Sequence, residues 1–277
     1  MKIVYFGSDV FLSCFEYLVE REEILALYTY HNDEDYFNEY NIVSRAKELG
    51  IPVHYEAIGQ ERIRQFFKEE GCDLFFIAEY DKKIDIPQDL KEFRGINTHS
   101  SLLPQGRSYY PIECAMARDL PVTGVTMHKL SNDLDSGDII CQRKVEITGE
   151  RDSVDIYLMN AANARLMLQE IVSDFEAAWS LAVPQEEIQE YWRRPEDALL
   201  TVTHDMSVQD AMEIFRKYNS MTELLIGNRI YFVTAVMPGS APLPKEELRI
   251  HDTLWLYGLM DGHIRVSVSA KNQKNRK

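Results

Sequence analysis

The sequence lacks a run of about eighteen or more apolar residues, so it does not predict a transmembrane helix. Its first residues, MKIVYFG, also lack the long apolar segment and the small-residue cleavage site of a secretory signal. Together these two absences predict a cytoplasmic protein with no membrane partner.

Cysteine is scarce, with four residues that form no Cys-x-x-Cys pair. The four are scattered along the chain and mostly lie within apolar stretches: Cys14, Cys72, Cys114 and Cys141. This pattern is typical of reduced core thiols, and it favours neither a disulfide framework nor a zinc site. We therefore expect no metal.

Positively charged residues are also few. The sequence has 30 Lys and Arg and 45 Asp and Glu, which gives a net charge of −15. Residues 187–277 carry twelve acidic and twelve basic side chains, so the whole excess lies in residues 1–186. A nucleic-acid surface normally needs clustered Lys and Arg, and the sequence clusters them only in the last residues, KNQKNRK. We expect this tail to be a disordered end.

Two common enzyme motifs are missing. Gly7 stands alone after the first apolar run, without the further glycines of a dinucleotide-binding fingerprint. Neither Ser100 nor Ser101 lies in a G-x-S-x-G elbow, which disfavours a serine nucleophile.

What the sequence does contain is an alternation of short apolar runs and helical segments through its first half. Repeated βα units imply an α/β domain with a mostly parallel, Rossmann-like sheet. We place the first helix behind a cap at Ser8 or Asp9, and an apolar stripe predicts one long helix over residues 154–179. The acidic run over residues 31–41 is interpreted as a solvated loop.

After residue 186 the pattern of the sequence changes. A polar connector leads to a helix with a capping box at Ser207 and Asp210, and then to two hairpins. Gly227-Asn228 and Asp261-Gly262 both suit two-residue turns with positive φ. We therefore expect a catalytic domain over residues 1–186 and a small β-rich domain over residues 187–277.

The stretch INTHSSLLPQGRSYYP, residues 96–111, places polar groups at the end of a predicted strand. Side chains alternate along a strand, so Asn97 and His99 project from the same face at its C-terminal end. Asp135 follows in the loop NDLDSGD. An amide donor, an imidazole and a carboxylate are the groups needed to move an acyl group to an amine.

Spacing alone leaves this interpretation open, because buried Asn and His at strand ends are more often satisfied structural groups than catalysts. We interpret His128 in the same way, as a core histidine or one that supports the site. Tyr109 and Tyr110 could stack on a nucleotide base or simply pack.

A longer pattern adds to these residues. The chain reads N-x-H-x-S-L-L-P-x-x-R, P-x-x-x-A, G-V-T-x-H and L-D-S-G-D-I between residues 97 and 139. This series resembles the folate-dependent formyltransferases, a family that includes enzymes acting on methionyl-tRNA, glycinamide ribonucleotide and nucleotide-linked amino sugars. The YWRRPED connector and the segments after it resemble, more faintly, the trailing OB-like domain of the tRNA and sugar members.

The resemblance implies a catalytic trio of Asn97, His99 and Asp135 and a formyl donor, 10-formyltetrahydrofolate. It implies donor-binding positions in the loop after the fourth strand and in the L-D-S-G-D loop: Ala78, Glu79, Tyr80, Ile84, Asp133 and Leu134. For the acceptor we expect Ser8, Arg107 and Tyr109, with the Arg107 guanidinium meeting a phosphate in two-point fashion.

The chain departs from the family pattern at two places near the predicted site. Arg107 is followed by Ser108 where relatives have glycine, and Ala78 is followed by Glu79, Tyr80 and Asp81 where relatives have an Ala-Tyr-Gly-like loop. These departures leave the trio intact and fall in the pocket loops.

Three functions remain open. We favour an N-formyltransferase acting on a nucleotide-linked aminodeoxy sugar, which suits the acidity and the aromatic loops. A methionyl-tRNA formyltransferase is the alternative, disfavoured by the net charge of −15. The third is a non-catalytic folate- or nucleotide-binding protein on the same fold. A homodimer is an open option.

Overall fold

The computed structural model describes residues 1–31, 41–185, 191–227, 229–239, 241, 243, 246–269 and 274–275. Most of the predicted acidic loop, the predicted boundary after residue 186, Asn228 and most of the C-terminal tail lie outside these residues. The chain divides into two compact units. The first unit comprises residues 1–111, 121–146 and 156–192, and the second comprises residues 112–120, 147–155 and 193–277.

A seven-stranded sheet forms the first unit, in the order β3-β2-β1-β4-β5-β6-β7. Its strands are β1 (Lys2–Gly7), β2 (Glu23–Tyr28), β3 (Val53–His54), β4 (Leu74–Ala78), β5 (Gly95–His99), β6 (Val122–Lys129) and β7 (Ile139–Glu146). Strands β1 to β5 pair in parallel, while β6 and β7 are antiparallel to their neighbours. The predicted α/β class with a mostly parallel sheet is confirmed.

Two apolar clusters cover the two faces of this sheet. Along β1, Ile3 and Tyr5 enter one cluster, while Val4 and Phe6 enter the other. This division follows from the two-residue period of a strand that is buried on both faces. Helices α1 (Leu12–Val19), α2 (Asn41–Glu48) and α5 (Ser153–Ser173) contribute to the first cluster, and α3 (Gln60–Lys68) contributes to the second.

The predicted single helix over residues 154–179 is wrong in two respects. It is divided into α5 and α6 (Phe175–Ser180), because Asp174 leaves helical geometry and its carboxylate accepts from the Ala177 amide. Val154 and Leu158, placed on the packed stripe, are exposed. The buried face instead runs through Ile156, Asn160, Ala164, Met167, Leu168 and Ile171. Because Asn160 on this face is polar, the apolar pattern of the sequence did not indicate the buried face.

The expected cap of the first helix is also wrong. Ser8 precedes a single 3-10 turn, Asp9–Phe11, without a side-chain capping bond. The Asp9 carboxylate instead accepts from the backbone amides of Asn41 and Ile42 at 2.9 and 2.8 Å. Asp9 therefore caps α2, which begins some thirty residues later in the chain.

The second unit contains a second sheet, in the order β11-β12-β13-β10-β9-β8, with β14 pairing to β10. Its strands are β8 (Thr201–Val202), β9 (Glu223–Ile226), β10 (Arg229–Gly239), β11 (Glu247–Arg249), β12 (Leu254–Gly258), β13 (His263–Val268) and β14 (Lys274–Asn275). Its helices include α7 (Asp197–Leu200) and α8 (Val208–Tyr218), while α4 (Pro111–Ala117) begins at the last residue of the first unit. The predicted β-rich C-terminal region is confirmed.

The sequence predicted a capping box and two hairpin turns in this region, and not all of these predictions are confirmed. The capping box of Ser207 and Asp210 is present, and Gly227 has a φ of 57° in the first hairpin turn. The second turn differs, because neither Asp261 nor Gly262 has positive φ and four residues separate β12 from β13. The Asp261 carboxylate accepts from the Val208 amide at 2.8 Å, so it serves the start of α8 instead.

All four cysteines are free thiols, and three of them are buried. In the described part of the chain, no helix combines the length and the apolar content needed to cross a membrane.

Gly7 is a close backbone approach at the end of β1. A Cβ there would lie 2.1 Å from the Ala78 carbonyl oxygen, at the end of the neighbouring strand β4. We expect Gly7→Ala to lower the free energy of unfolding by about 1–3 kcal/mol, because the two strands must separate. Urea unfolding measures this change.

Gly149→Ala is the matched control. Nothing lies within 4 Å of a Cβ built there, so we expect a change below about 0.5 kcal/mol. Equal effects of the two substitutions would show that the close approach at Gly7 does not constrain the sheet.

Candidate active site

The C-terminal ends of β4 and β5 lie side by side and begin the site. These strands pair in parallel, with Ile77 opposite Asn97 and Ala78 opposite Thr98. In a parallel sheet the residues that follow such ends meet at one edge, where α/β proteins bind ligands. The next residue after each of these two paired positions is Glu79, which follows β4, and His99, which ends β5.

A cavity of about 270 Å³ opens at this edge. Apolar side chains supply part of its wall, including Ile77, Ile84 and Leu130. Polar and charged side chains line the rest of the cavity. They include Asn97 and His99 of β5 and Asp135 of the loop that follows β6. A part-apolar cavity with a few convergent polar groups is the usual form of a small-molecule site.

The structure brings most of the predicted site residues to this cavity. The lining includes Glu79, Tyr80, Ile84, Asn97, His99, Tyr109, Leu134 and Asp135. Four predicted residues are not part of the lining: Ser8, Ala78, Arg107 and Asp133. Ser8 and Ala78 are buried within the sheet region, and Asp133 is exposed.

Asn97 holds two other side chains through its amide. Its Nδ2 lies 3.0 Å from Nε2 of His128 and donates to Oδ1 of Asp135 at 3.2 Å. His128 is opposite Asn97 in the β5–β6 ladder, and its Nδ1 donates to the Lys129 carbonyl at 2.9 Å. With Nδ1 as the donor, Nε2 of the neutral ring accepts from Asn97. His128 thus supports the amide, as expected from the sequence.

His99 is held by the loop that follows β5. Its Nε2 donates to the carbonyl of Gly106 at 2.9 Å. Gly106 has a φ of 79°, and a Cβ there would lie 2.8 Å from Ser101, so only glycine fits this position. The other ring nitrogen, Nδ1, lies 3.6 Å from Oδ2 of Asp135, a distance for charge attraction rather than a hydrogen bond. The Gly106 carbonyl, rather than Asp135, fixes the ring.

Asp135 is a buried carboxylate in a strained backbone position. Its φ of 48° is unusual for a residue other than glycine and costs about 1–2 kcal/mol. Burial raises the pKa of Asp135, but the neighbouring His99, His128 and Arg107 outweigh this effect and lower the pKa below its ordinary value. The carboxylate is therefore ionised at neutral pH.

The loop that carries Asp135 is fixed from behind by Gln185. The side-chain amide of Gln185 donates to the carbonyls of Asp135 and Gly137, both at 2.8 Å. Its Oε1 accepts from Nη2 of Arg107 at 2.6 Å. No motif identified Gln185, because it lies after α6 and outside every recognisable pattern.

Arg107 therefore has a different role from the one expected. It is 4% exposed and is not part of the cavity lining, so its guanidinium is not available to a phosphate as the sequence suggested. A buried cation that binds Gln185 and lowers the pKa of Asp135 is a structural support of the loop.

Two hydroxyl groups at the cavity lack partners within the described residues. Thr98 and Ser100 both line the cavity, and neither side-chain oxygen has a hydrogen-bond partner. Both oxygens are buried, so they are exceptions to the rule that buried polar atoms are satisfied.

The region that contains these residues is similar to known formyltransferases. The family model described as Formyl transferase matches residues 36–171. A methionyl-tRNA formyltransferase of Prochlorococcus marinus is 28% identical over 158 residues, which cover 53% of this chain and 48% of that protein. The chain thus spans about half the length of this curated relative.

Solved structures share the fold. HypX from Aquifex aeolicus, in complex with tetrahydrofolic acid, aligns with a TM-score of 0.69 at 18% identity, covering 100% of this chain and 44% of that one. The N-formyltransferase from Helicobacter canadensis, in complex with folinic acid and dTDP-3-aminofucose, aligns with a TM-score of 0.62 at 15% identity. That alignment covers 97% of this chain and 98% of the other. The family match confirms the resemblance seen in the motifs.

The hydrogen bonds predict opposite neutral tautomers for the two buried histidines. We expect His128 to carry its proton on Nδ1 and His99 on Nε2, because each of these atoms faces a backbone carbonyl. Nitrogen-15 NMR of labelled imidazole rings distinguishes the two forms.

Exposed His251 provides the reference ring in the same spectra. A neutral His128 with its proton on Nε2 would contradict the arrangement, because Asn97 could then not donate to that atom.

Proposed function

We propose that this chain, which carries a formyl transferase domain and resembles the folate-dependent formyltransferases, transfers a formyl group from 10-formyltetrahydrofolate to a primary amine. The acceptor we favour is the amino group of a nucleotide-linked aminodeoxy sugar. The observation that carries the proposal is the convergence of Asn97, His99 and Asp135 on one cavity within the matched region.

The donor suits this cavity. Its pterin is a flat ring with hydrogen-bonding edges, which matches the mixed apolar and polar wall of the cavity. Residues Tyr80, Ile84 and Leu134 would hold it from the loops that follow β4 and β6. The donor supplies a formyl group bound to a nitrogen atom.

Asn97 stabilises the charge that develops in the reaction. Of the two contacts of its amide nitrogen, the one to Asp135 is the longer at 3.2 Å, so that hydrogen is the one redirected to the formyl oxygen. A fixed donor aimed at an oxygen that gains negative charge lowers the barrier more than it lowers the energy of the bound substrate.

His99 handles the proton of the attacking amine. Its Nε2 is committed to Gly106, so Nδ1 is the atom that accepts a proton. The ionised carboxylate of Asp135, with an oxygen 3.6 Å from Nδ1, stabilises the imidazolium that results. Gln185 keeps this carboxylate in place through the backbone of its loop.

The acceptor proposal has three supports. Tyr109 lines the cavity and is 70% exposed, which leaves its ring available to stack on a base. The net charge of −15 disfavours a polynucleotide. The Helicobacter canadensis N-formyltransferase, which has a similar fold, binds dTDP-3-aminofucose.

A methionyl-tRNA formyltransferase is the second candidate, favoured by the identity of the Prochlorococcus marinus relative. An assay with 10-formyltetrahydrofolate and a set of amines decides between the two. We expect tetrahydrofolate release with dTDP-3-aminofucose or a related aminodeoxy nucleotide sugar. Release with charged initiator tRNA alone would overturn the sugar proposal, and release with neither would overturn both.

Removal of the amide donor tests the role of Asn97. We expect Asn97→Ala to lower kcat by about 100-fold, the scale of losing one donor to a developing oxyanion. Single-turnover kinetics measures the chemical step, and circular dichroism verifies the fold. Near-normal turnover with chemistry rate-limiting would contradict the role.

Filter binding tests the nucleic-acid alternative directly. At about 0.15 M salt we expect no tight complex with initiator tRNA, because binding that neutralises several phosphates needs a basic surface. Submicromolar retention that weakens steeply with added salt would restore the tRNA enzyme.

A further inference from the structure

Glu79 places a second carboxylate beside the reacting groups. It directly follows Ala78 at the end of β4, just as His99 directly follows Thr98 at the end of β5, and Ala78 and Thr98 are paired. Glu79 is the first residue beyond this paired end, and its carboxyl group is close enough to His99 for an electrostatic interaction. Both line the cavity.

The Glu79 carboxylate is not used by the protein itself. Among the residues that the structure describes, it forms no hydrogen bond and no ion pair, and its electrostatic partner is His99. The lysines of the same loop are already paired, Lys82 with Asp81 at 3.0 Å and Lys83 with Asp85 at 2.6 Å. The cavity therefore contains an unpaired acidic group beside its catalytic histidine.

The backbone also singles out this residue. Glu79 has a φ of 59°, a conformation that costs a residue with a side chain about 1–2 kcal/mol. Asp135 shares this feature, so two of the cavity's acidic residues lie in strained positions. Strain of this kind tends to collect at binding and catalytic sites.

We propose that Glu79 is the binding site for the protonated amino group of the acceptor and removes one of its protons before attack. The inference rests on the proposed N-formyl transfer and deepens it, because it makes an ammonium group the feature by which the acceptor is selected. A hydroxyl in the same place would offer no charge to this carboxylate.

The protons balance in two steps. A primary amine enters as ammonium and cannot attack until one proton moves from its nitrogen to the Glu79 carboxylate. The neutral nitrogen then bonds to the formyl carbon as the bond from that carbon to N10 of the donor breaks. A second proton passes from the acceptor nitrogen through His99 Nδ1 to N10, and Glu79 returns the first proton to solvent.

Electrostatics support this division of labour. Burial raises the pKa of Glu79, although His99 opposes the rise when its ring is protonated. The charged groups that share the cavity are His99, His128 and Asp135 on the inner wall and Asp81, Lys82 and Lys83 on the loop. A carboxyl with a raised pKa holds a proton more readily than the ionised Asp135 does, which suits a group that receives one.

The test uses Glu79→Gln, with Glu61→Gln as the matched control, because Glu61 is 79% exposed and outside the cavity. Isothermal titration measures binding of dTDP-3-aminofucose and of dTDP-fucose, which carries a hydroxyl in place of the amine. We expect Glu79→Gln to weaken binding of the amino compound by about 10- to 100-fold, the scale of a hydrogen bond to a charged group. Binding of the hydroxyl compound should not change.

Kinetics provides a second readout. The carboxylate form of Glu79 is the active one, so its protonation should reduce kcat/KM for the acceptor as pH falls. The contribution of Glu79 to this acidic limb should be absent in Glu79→Gln and persist in Glu61→Gln, while protonation of His99 limits both variants alike. Because the pKa of Glu79 is raised, the limb should lie above the range of an exposed glutamate.

The outcomes separate the two proposals. If the wild-type protein formylates no nucleotide sugar, the proposed function falls and this inference falls with it. If the wild type is active but Glu79→Gln binds the amino and hydroxyl compounds as the wild type does, the inference alone is overturned. A change confined to the apparent affinity for the folate donor would likewise overturn it, because Glu79 would then serve the donor.

Discussion

The side-chain amide of Asn97 joins three segments that are distant in the chain. From β5 it reaches His128 on β6 and Asp135 in the loop that follows β6. Since an amide nitrogen has only two hydrogens, both are engaged in this structure. The amide therefore positions His128 and Asp135 relative to β5, whereas the Gly106 carbonyl holds His99.

The support extends outward in a second layer. Gly106 orients His99 from one side, and Gln185 fixes the Asp135 loop from the other. Gly137 completes the loop, because a Cβ there would lie 1.8 Å from the Lys129 carbonyl. Hydrogen bonds of carbonyl and amide groups therefore position His99 and the Asp135 loop. The charged groups of the site face the cavity.

Much of this was predictable from the sequence, for identifiable reasons. The two-residue period of strands places Asn97 and His99 together, and βα alternation predicts the sheet edge where they lie. Asp135 was a candidate carboxylate in a nearby loop, and the resemblance of motifs assigned it to the trio. Local rules failed where a polar group found a distant partner: Asp9 caps α2, and Asp261 serves α8. The burial of Arg107 was not predictable in the same way, because exposure is a property of the folded chain.

The Gln185 contacts also bear on how the protein can be divided. The family match ends at residue 171, and a fragment cut there would keep Asn97, His99 and Asp135. It would lose Gln185, and with it the donors to the Asp135 and Gly137 carbonyls and the acceptor for Arg107. It would also lose Trp192, whose amide donates to the Arg107 carbonyl at 2.8 Å. A fragment that retains these contacts is therefore longer than the family match, and it extends to residue 192, where the first compact unit ends.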